Sequence, residues 1–74
     1  MVASMNQIEY IKQLALYESL AGTLYPSLAY ANLCIMRSEY PEVRELQSPM
    51  PPDQFGHAQG NLGQQLALQF NINI

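Results

Sequence analysis

The last nine residues of the chain, LALQFNINI, alternate between apolar and polar side chains. In an extended backbone one face would carry the apolar set Leu66, Leu68, Phe70, Ile72 and Ile74. The alternation predicts a β-strand over about residues 64–74. An apolar residue also recurs at every fourth position from Leu62 to Ile74, as it would in a helix. Asn71 and Asn73 are poor helix formers, and they favour the strand.

This predicted strand has no partner within the chain. The sequence contains no second alternating run and no tight hairpin turn before Gln64. Even an isolated two-stranded hairpin is only marginally stable in water. We therefore expect the strand to pair with another chain by adding to the edge of its sheet, with the apolar face filling pockets there. The expected partners are larger protein subunits or further copies of the same chain.

Most of the first half of the chain has helical periodicity. Apolar residues follow one another at alternating spacings of four and three, which is typical of a helix that packs on another helix. The positions are Tyr10, Leu14, Tyr17, Ala21, Leu24, Leu28, Ala31 and Ile35. The seam runs through Pro26 without losing phase, although a proline inside a helix removes a hydrogen bond, so either a kinked helix or a helical hairpin fits the pattern. Gly22 as a terminator and Pro26 in a first turn favour two helices, over residues 5–22 and 26–39.

A near repeat, LYESLAGT followed by LYPSLAYA, lies within the same region. Its eight-residue spacing places a row of leucines beside a row of small side chains, the shape that allows close helix approach. The small row consists of Ala15, Ser19, Thr23, Ser27 and Ala31. We predict that this row forms an interface with another protein. The alternative is that the two halves of the repeat pack on each other.

Prolines and glycines punctuate the middle of the chain. The segment SPMPPDQFGHAQGN predicts an extended, poorly hydrogen-bonded path. The spacing of Pro49 and Pro52 matches the PxxP pattern, but a spacer is the preferred interpretation because no basic residue lies nearby. The predicted organisation is a helical module at residues 1–40, an extended arm at 41–63 and a strand-like docking tail at 64–74.

Composition excludes several classes of function. The net charge is −3 with three basic residues, so the chain has no electrostatic footprint for nucleic acid. Charged residues make up only 12% of the chain, against a typical value of about 25%, which indicates that part of the surface is covered by another molecule. Cys34 and His57 each stand alone. We expect Cys34 to be a buried, inert thiol in a reducing compartment and His57 to be an ordinary loop residue.

The sequence contains no constellation of acid, base, nucleophile or metal ligands. We therefore predict no catalytic, cofactor-binding or metal-binding residues and no small-molecule substrate, and we expect that the chain is not an enzyme. The amino terminus has no basic cluster before an apolar run and does not predict a secretory signal. Eighteen uncharged residues separate Glu18 from Arg37, which is the length of a membrane span. Polar residues and Pro26 within that stretch argue against a span, and a small single-span subunit is kept as an alternative.

Together these features predict a mostly α-helical chain. A helical hairpin or a kinked helix would be followed by an extended arm and a C-terminal strand that pairs with another chain. The leading hypothesis is a non-enzymatic structural or accessory subunit that tethers larger proteins within a multi-subunit assembly, such as a virus or phage particle. The likeness to such particles is one of composition only. A small regulatory binder or inhibitor of one protein target is the alternative hypothesis.

Overall fold

In the computed structural model, which describes residues 2–20, 26–54 and 60–74, the chain is mostly helical. Helix α1 spans Met5–Ser19, α2 spans Pro26–Glu39 and α3 spans Leu62–Gln69. One short 3-10 helix, Pro52–Gln54, lies between α2 and α3. Within these described ranges there is no β-strand.

Helix α1 begins at a capping box. The hydroxyl of Ser4 accepts a hydrogen bond from the backbone N–H of Gln7 at 3.1 Å, and the Gln7 side chain accepts one from the backbone N–H of Ser4 at 2.8 Å. This reciprocal pair satisfies two backbone donors at the helix N-terminus. The first helix therefore starts where the predicted helix over residues 5–22 was expected to start, and it ends three residues earlier.

Helices α1 and α2 lie side by side and run antiparallel. The guanidinium of Arg37 lies 5.9 Å from the ring centroid of Tyr10, and the rings of Tyr17 and Tyr30 are 5.8 Å apart. Because the two contacts occur in opposite order along the helices, the arrangement is that of a helical hairpin rather than a kinked rod. Pro26 occupies the first position of α2, where its missing N–H costs nothing. Gly22 lies outside the described residues.

The predicted apolar seam is buried in α1 but exposed in α2. Tyr10, Leu14 and Tyr17 are fully buried, as the seam requires. In α2, by contrast, the buried residues are Leu33 and Met36. The seam positions of this helix, Leu28, Ala31 and Ile35, are exposed. The chain reverses direction between the helices, so the periodicity of α1 does not continue in phase on the buried side of α2.

The proline-containing segment after α2 packs on the helices in its described part. Val43 is fully buried, and Leu46 and Pro49 are buried as well. The hydroxyl of Tyr10 donates a hydrogen bond to the backbone carbonyl of Gln47 at 3.1 Å. The segment from 41 to 50 is therefore part of the core rather than a free arm.

Polar side chains from α1 and α2 hold this segment in place. The hydroxyl of Tyr17 donates to the carbonyl of Met50 at 2.6 Å. The guanidinium of Arg37 donates to the carbonyls of Leu46 and Gln47 at 2.8 and 3.2 Å. Turns over residues 40–46 pair some backbone groups of this segment, and these side chains supply partners for the carbonyls that follow.

The prediction of a C-terminal strand is wrong, because residues 62–69 form helix α3. Leu66 and Ala67 are buried against the core, and Gly63 lies directly on the backbone of Ala15 in α1. A Cβ atom on Gly63 would come within 2.5 Å of the Ala15 nitrogen. A helix satisfies its backbone hydrogen bonds internally, so this segment needs no second chain to pair with. Because this segment is a helix, the expected strand pairing with another chain has no basis in the structure.

Both ends of α3 are capped. At its N-terminus the Glu18 carboxylate accepts hydrogen bonds from the backbone N–H groups of Leu62 and Gly63, each at 2.8 Å. At its C-terminus Asn71 adopts a left-handed conformation with φ 58°, and the N–H of Ile72 reaches back to the carbonyl of Ala67 at 2.7 Å. This is the Schellman arrangement, in which Asn often replaces Gly.

Candidate protein-interaction surfaces

Exposed aliphatic side chains line two of the grooves on the surface of this small helical module. One is formed mainly by α2, and the other lies between α1, α3 and the last residues of the chain. In both grooves large aliphatic side chains stay exposed, including Leu28 in the first and Leu68 in the second. Apolar side chains that remain exposed in a contiguous group mark sites of interaction more often than scattered ones do.

The first, which we name the hairpin groove, encloses about 430 Å³. Its walls are formed by Leu20, Leu28, Ala29, Ala31, Asn32 and Ile35. Leu28 is 74% exposed and Ile35 is 53% exposed, although both are large aliphatic residues. None of the six side chains carries a charge, so an apolar and uncharged surface fits this groove best.

The second, which we name the α1–α3 groove, encloses about 590 Å³. Its aliphatic residues are Ala15, Leu16, Ala67, Leu68, Ile72 and Ile74. Leu68 is 83% exposed, and the exposed ammonium-bearing side chain of Lys12 also lines the groove. Leu16 lies in α1 and Leu20 caps the C-terminus of this helix one turn later, so the end of α1 borders both surfaces.

The structure brings together four of the residues that the sequence proposed for a protein interface. Ala15 from the small row lies beside Leu68, Ile72 and Ile74 from the predicted tail, all in the α1–α3 groove. These residues were expected to act at two separate places, one on a helix and one on a strand. They share one surface because α3 packs on α1.

The other proposed interface residues are divided. Ala31 lines the hairpin groove, and Ser27 lies near it on the exposed side of α2. Ser19 is exposed at the end of α1, where its hydroxyl donates to the carbonyl of Leu16 at 2.7 Å. Thr23 lies outside the described residues.

Three members of the predicted tail pack against the core. Leu66 is only 8% exposed, and Phe70 and Ile72 are partly buried against the core cluster. Burial of Leu66 removes it from any surface that a partner could reach in this fold. Leu28 and Ile35 were not predicted to be surface residues, because their helical spacing places them in the predicted apolar seam. Their exposure depends on how α2 is rotated, which the spacing alone does not encode.

Among the described residues, the ionisable groups with displaced pKa values are three tyrosines and Glu42, and none of them lines either groove. Burial raises the pKa of Tyr17 to about 12. Burial also raises the pKa of Tyr10 and of Tyr30 above the usual value of 10.0. The hydrogen bond that Asn6 donates at 2.7 Å lowers the pKa of the Glu42 carboxyl. The three tyrosines therefore stay protonated at neutral pH, and Tyr10 and Tyr17 serve as hydrogen-bond donors to the segment after α2.

Cys34 is exposed on α2, which corrects the expectation of a buried thiol. Among the described residues there is no group of three or more His, Cys, Asp or Glu side chains that could hold a metal ion. His57 lies outside the described residues.

Across the described ranges, none of the helices has both the length and the apolar character needed to cross a membrane.

Comparison of the chain with protein-family models, with curated proteins and with solved structures gives no match.

Proposed function

We propose that this chain is a non-enzymatic accessory subunit that joins larger proteins within a multi-subunit assembly. One observation carries the proposal: two exposed grooves, each lined mainly by aliphatic residues, lie on a module of only 74 residues. A subunit that connects other molecules needs at least two surfaces. The low charged fraction of 12% supports the same proposal, since a surface that other proteins cover needs less charge to stay soluble.

In this proposal the α1–α3 groove binds the larger partner. Six of its nine lining residues are aliphatic, and Lys12 supplies one positive charge. Such a surface suits an amphipathic segment of another protein that inserts apolar side chains and carries an acidic residue beside them. Burial of Leu68 and Ile74 would contribute roughly 1.5–3 kcal/mol for each side chain that is fully covered. A virus or phage particle is one setting of this kind, on the strength of composition alone.

The test is incorporation of variants into the native assembly. Leu68→Glu places a charge in the α1–α3 groove at a residue that is already 83% exposed, so the fold itself has little to lose. Met5→Glu is the matched control, because Met5 is also 83% exposed and lies at the start of α1, away from the groove. We expect native mass measurement of purified complexes to show the loss of Leu68→Glu and the retention of Met5→Glu.

Equal incorporation of both variants would contradict the proposal. A complex of fixed one-to-one stoichiometry with a single protein would instead support a regulatory binder over an assembly subunit.

A further inference from the structure

The inference concerns the turn that follows α3. Among the described residues, Asn71 is the only residue other than glycine with a positive φ, which is 58°. The N–H of Asn71 donates to the carbonyl of Leu68 at 3.3 Å, and the N–H of Ile72 donates to the carbonyl of Ala67 at 2.7 Å. These two hydrogen bonds complete a Schellman motif, so the chain turns back at Asn71 instead of continuing along the helix axis.

The turn decides where the next two isoleucines lie. If α3 continued as a regular helix, Ile72 would follow Leu68 by one turn on the same side, and Leu68 is 83% exposed. With the turn, Ile72 is partly buried against the core cluster. Ile74 is 56% exposed and lines the α1–α3 groove together with Ile72. The turn therefore brings both isoleucines to the groove, although Ile74 adds little to the core.

Residues 72–74, which we name the strap, lie between two grooves. On one side is the α1–α3 groove, and on the other, towards Val2, is a groove of about 530 Å³. Lys12, Ile72 and Asn73 line both grooves, so these residues form the wall between them. Moving the strap away from α1 would merge the two grooves into one broader depression.

The strap also lies beside the positive charge of the groove. Lys12 is the only charged side chain among the described residues that line the α1–α3 groove, and it lines the second groove with the strap as well. A partner segment that pairs a carboxylate with Lys12 and inserts apolar side chains into the groove therefore contacts the strap. The shape of the groove at its charged end depends on where the strap lies.

We propose that Asn71 is a positioning residue of the α1–α3 groove: its left-handed turn holds the strap as the wall against which the segment of the larger partner binds. This inference rests on the proposed function, which assigns that segment to the groove. Asn adopts a positive φ at small cost and Gly does so freely, whereas a β-branched residue is strained there. Asn71→Gly therefore keeps the turn, and Asn71→Val opens it.

Hydrogen exchange of the purified chain tests the turn without any partner. The Ile72 amide should be protected in the wild type and in Asn71→Gly, because it donates to the Ala67 carbonyl. In Asn71→Val we expect this protection to fall about tenfold, while the amides within α1 keep theirs. Equal protection of the Ile72 amide in Asn71→Val and in the wild type would overturn the proposal.

Incorporation into the native assembly tests the wall. Asn71→Val should be incorporated about fivefold less than the wild type, and Asn71→Gly should be incorporated at the wild-type level. Tyr17→Phe is the matched control for a general loss of stability, because the Tyr17 hydroxyl bonds the segment after α2 and Tyr17 does not line the groove. We expect Tyr17→Phe to be incorporated like the wild type.

A double-variant comparison separates positioning of the strap from a purely structural role. Ile74→Ser alters the strap at an exposed position. If Asn71 acts through the strap, Asn71→Val should reduce incorporation less in the Ile74→Ser background than in the wild type. Equal reductions in both backgrounds would overturn the proposal.

The inference and the proposed function fail in different ways. Normal incorporation of Asn71→Val together with loss of Leu68→Glu would overturn the role of the strap and leave the proposed function standing. Incorporation of Leu68→Glu at the level of Met5→Glu would contradict the proposed function and the inference together.

Discussion

Gly63→Ala is the sharpest perturbation of the way α3 packs on α1. The added Cβ atom would lie 2.5 Å from the backbone nitrogen and 2.7 Å from the Cα atom of Ala15. Carbon atoms in contact prefer about 3.5–4.0 Å, so the two helices would have to separate by about 1 Å. The obstructing atoms belong to the backbone of α1, so no side-chain rotation relieves the clash.

The expected loss of stability follows from two opposing terms. Overpacking of this severity costs about 3 kcal/mol, the upper end of its usual range. Replacing glycine by alanine inside a helix returns about 1 kcal/mol. The net loss is about 2 kcal/mol, which for a domain of this size lowers the melting temperature by about 8–16 °C.

Thermal and urea denaturation followed by far-UV circular dichroism measures this loss. Gly60→Ala is the matched control, because its added Cβ would meet only the Glu18 carboxylate, at an ordinary contact distance of 3.4 Å. A Gly63→Ala variant as stable as the wild type would refute the packing of α3 on α1, and a strand docked elsewhere would give that result.

Three further predictions concern the polar contacts that hold the fold. Glu18→Gln replaces one of the two carboxylate oxygens that accept hydrogen bonds at the N-terminus of α3. It should lower the free energy of unfolding by about 1–2 kcal/mol in urea denaturation, and Glu9→Gln is the exposed control. Tyr17→Phe removes the hydroxyl that donates to the Met50 carbonyl, and it should lower the free energy of unfolding by about 1–3 kcal/mol in the same assay. Because folding raises the pKa of Tyr17 from 10.0 to about 12, wild-type stability should fall as pH rises from 10 to 12, and the fall should be smaller in Tyr17→Phe. Arg37→Lys removes the planar guanidinium that donates to several backbone carbonyls, and it should lower the free energy of unfolding by about 1–2 kcal/mol in thermal melting. A loss below about 0.3 kcal/mol would contradict the anchoring role of Arg37.

Local signals in the sequence were sufficient to place the first two helices. The start of α1 depends on Ser4 and Gln7, and the start of α2 depends on Pro26, all of which act within a single turn. The end of α2 follows from Tyr40, which precedes Pro41 and is pushed away from helical geometry. Such signals are readable without knowledge of the fold.

The C-terminal helix could not be placed in the same way, because two periods coexist in one short segment. The residues that face the core, including Gly63, Leu66 and Ala67, follow helical spacing, while the alternation towards the end of the chain mimics a strand. What favours the helix is tertiary: the carboxylate of Glu18 at its start and the close contact with Ala15. Asn71, interpreted as evidence for a strand, is the residue that ends the helix.

The candidate surfaces were only partly visible in the sequence for a related reason. The row of small residues and the apolar tail each contributed to the α1–α3 groove, but their proximity depends on the docking of α3. The exposure of Leu28 and Ile35 depends on the rotation of α2 after the chain reverses. Long-range packing decides both, and a single sequence carries no direct signal of it.

The central claim is that the two grooves bind different molecules, and site-specific photo-cross-linking within the native assembly tests it most directly. A benzoylphenylalanine is placed at position 28 in the hairpin groove or at position 68 in the α1–α3 groove, both highly exposed positions. The account predicts that positions 28 and 68 link the chain to two different proteins, and that the protein linked at position 68 is larger than the chain itself. The same product from both positions, or no product from either, would contradict the account.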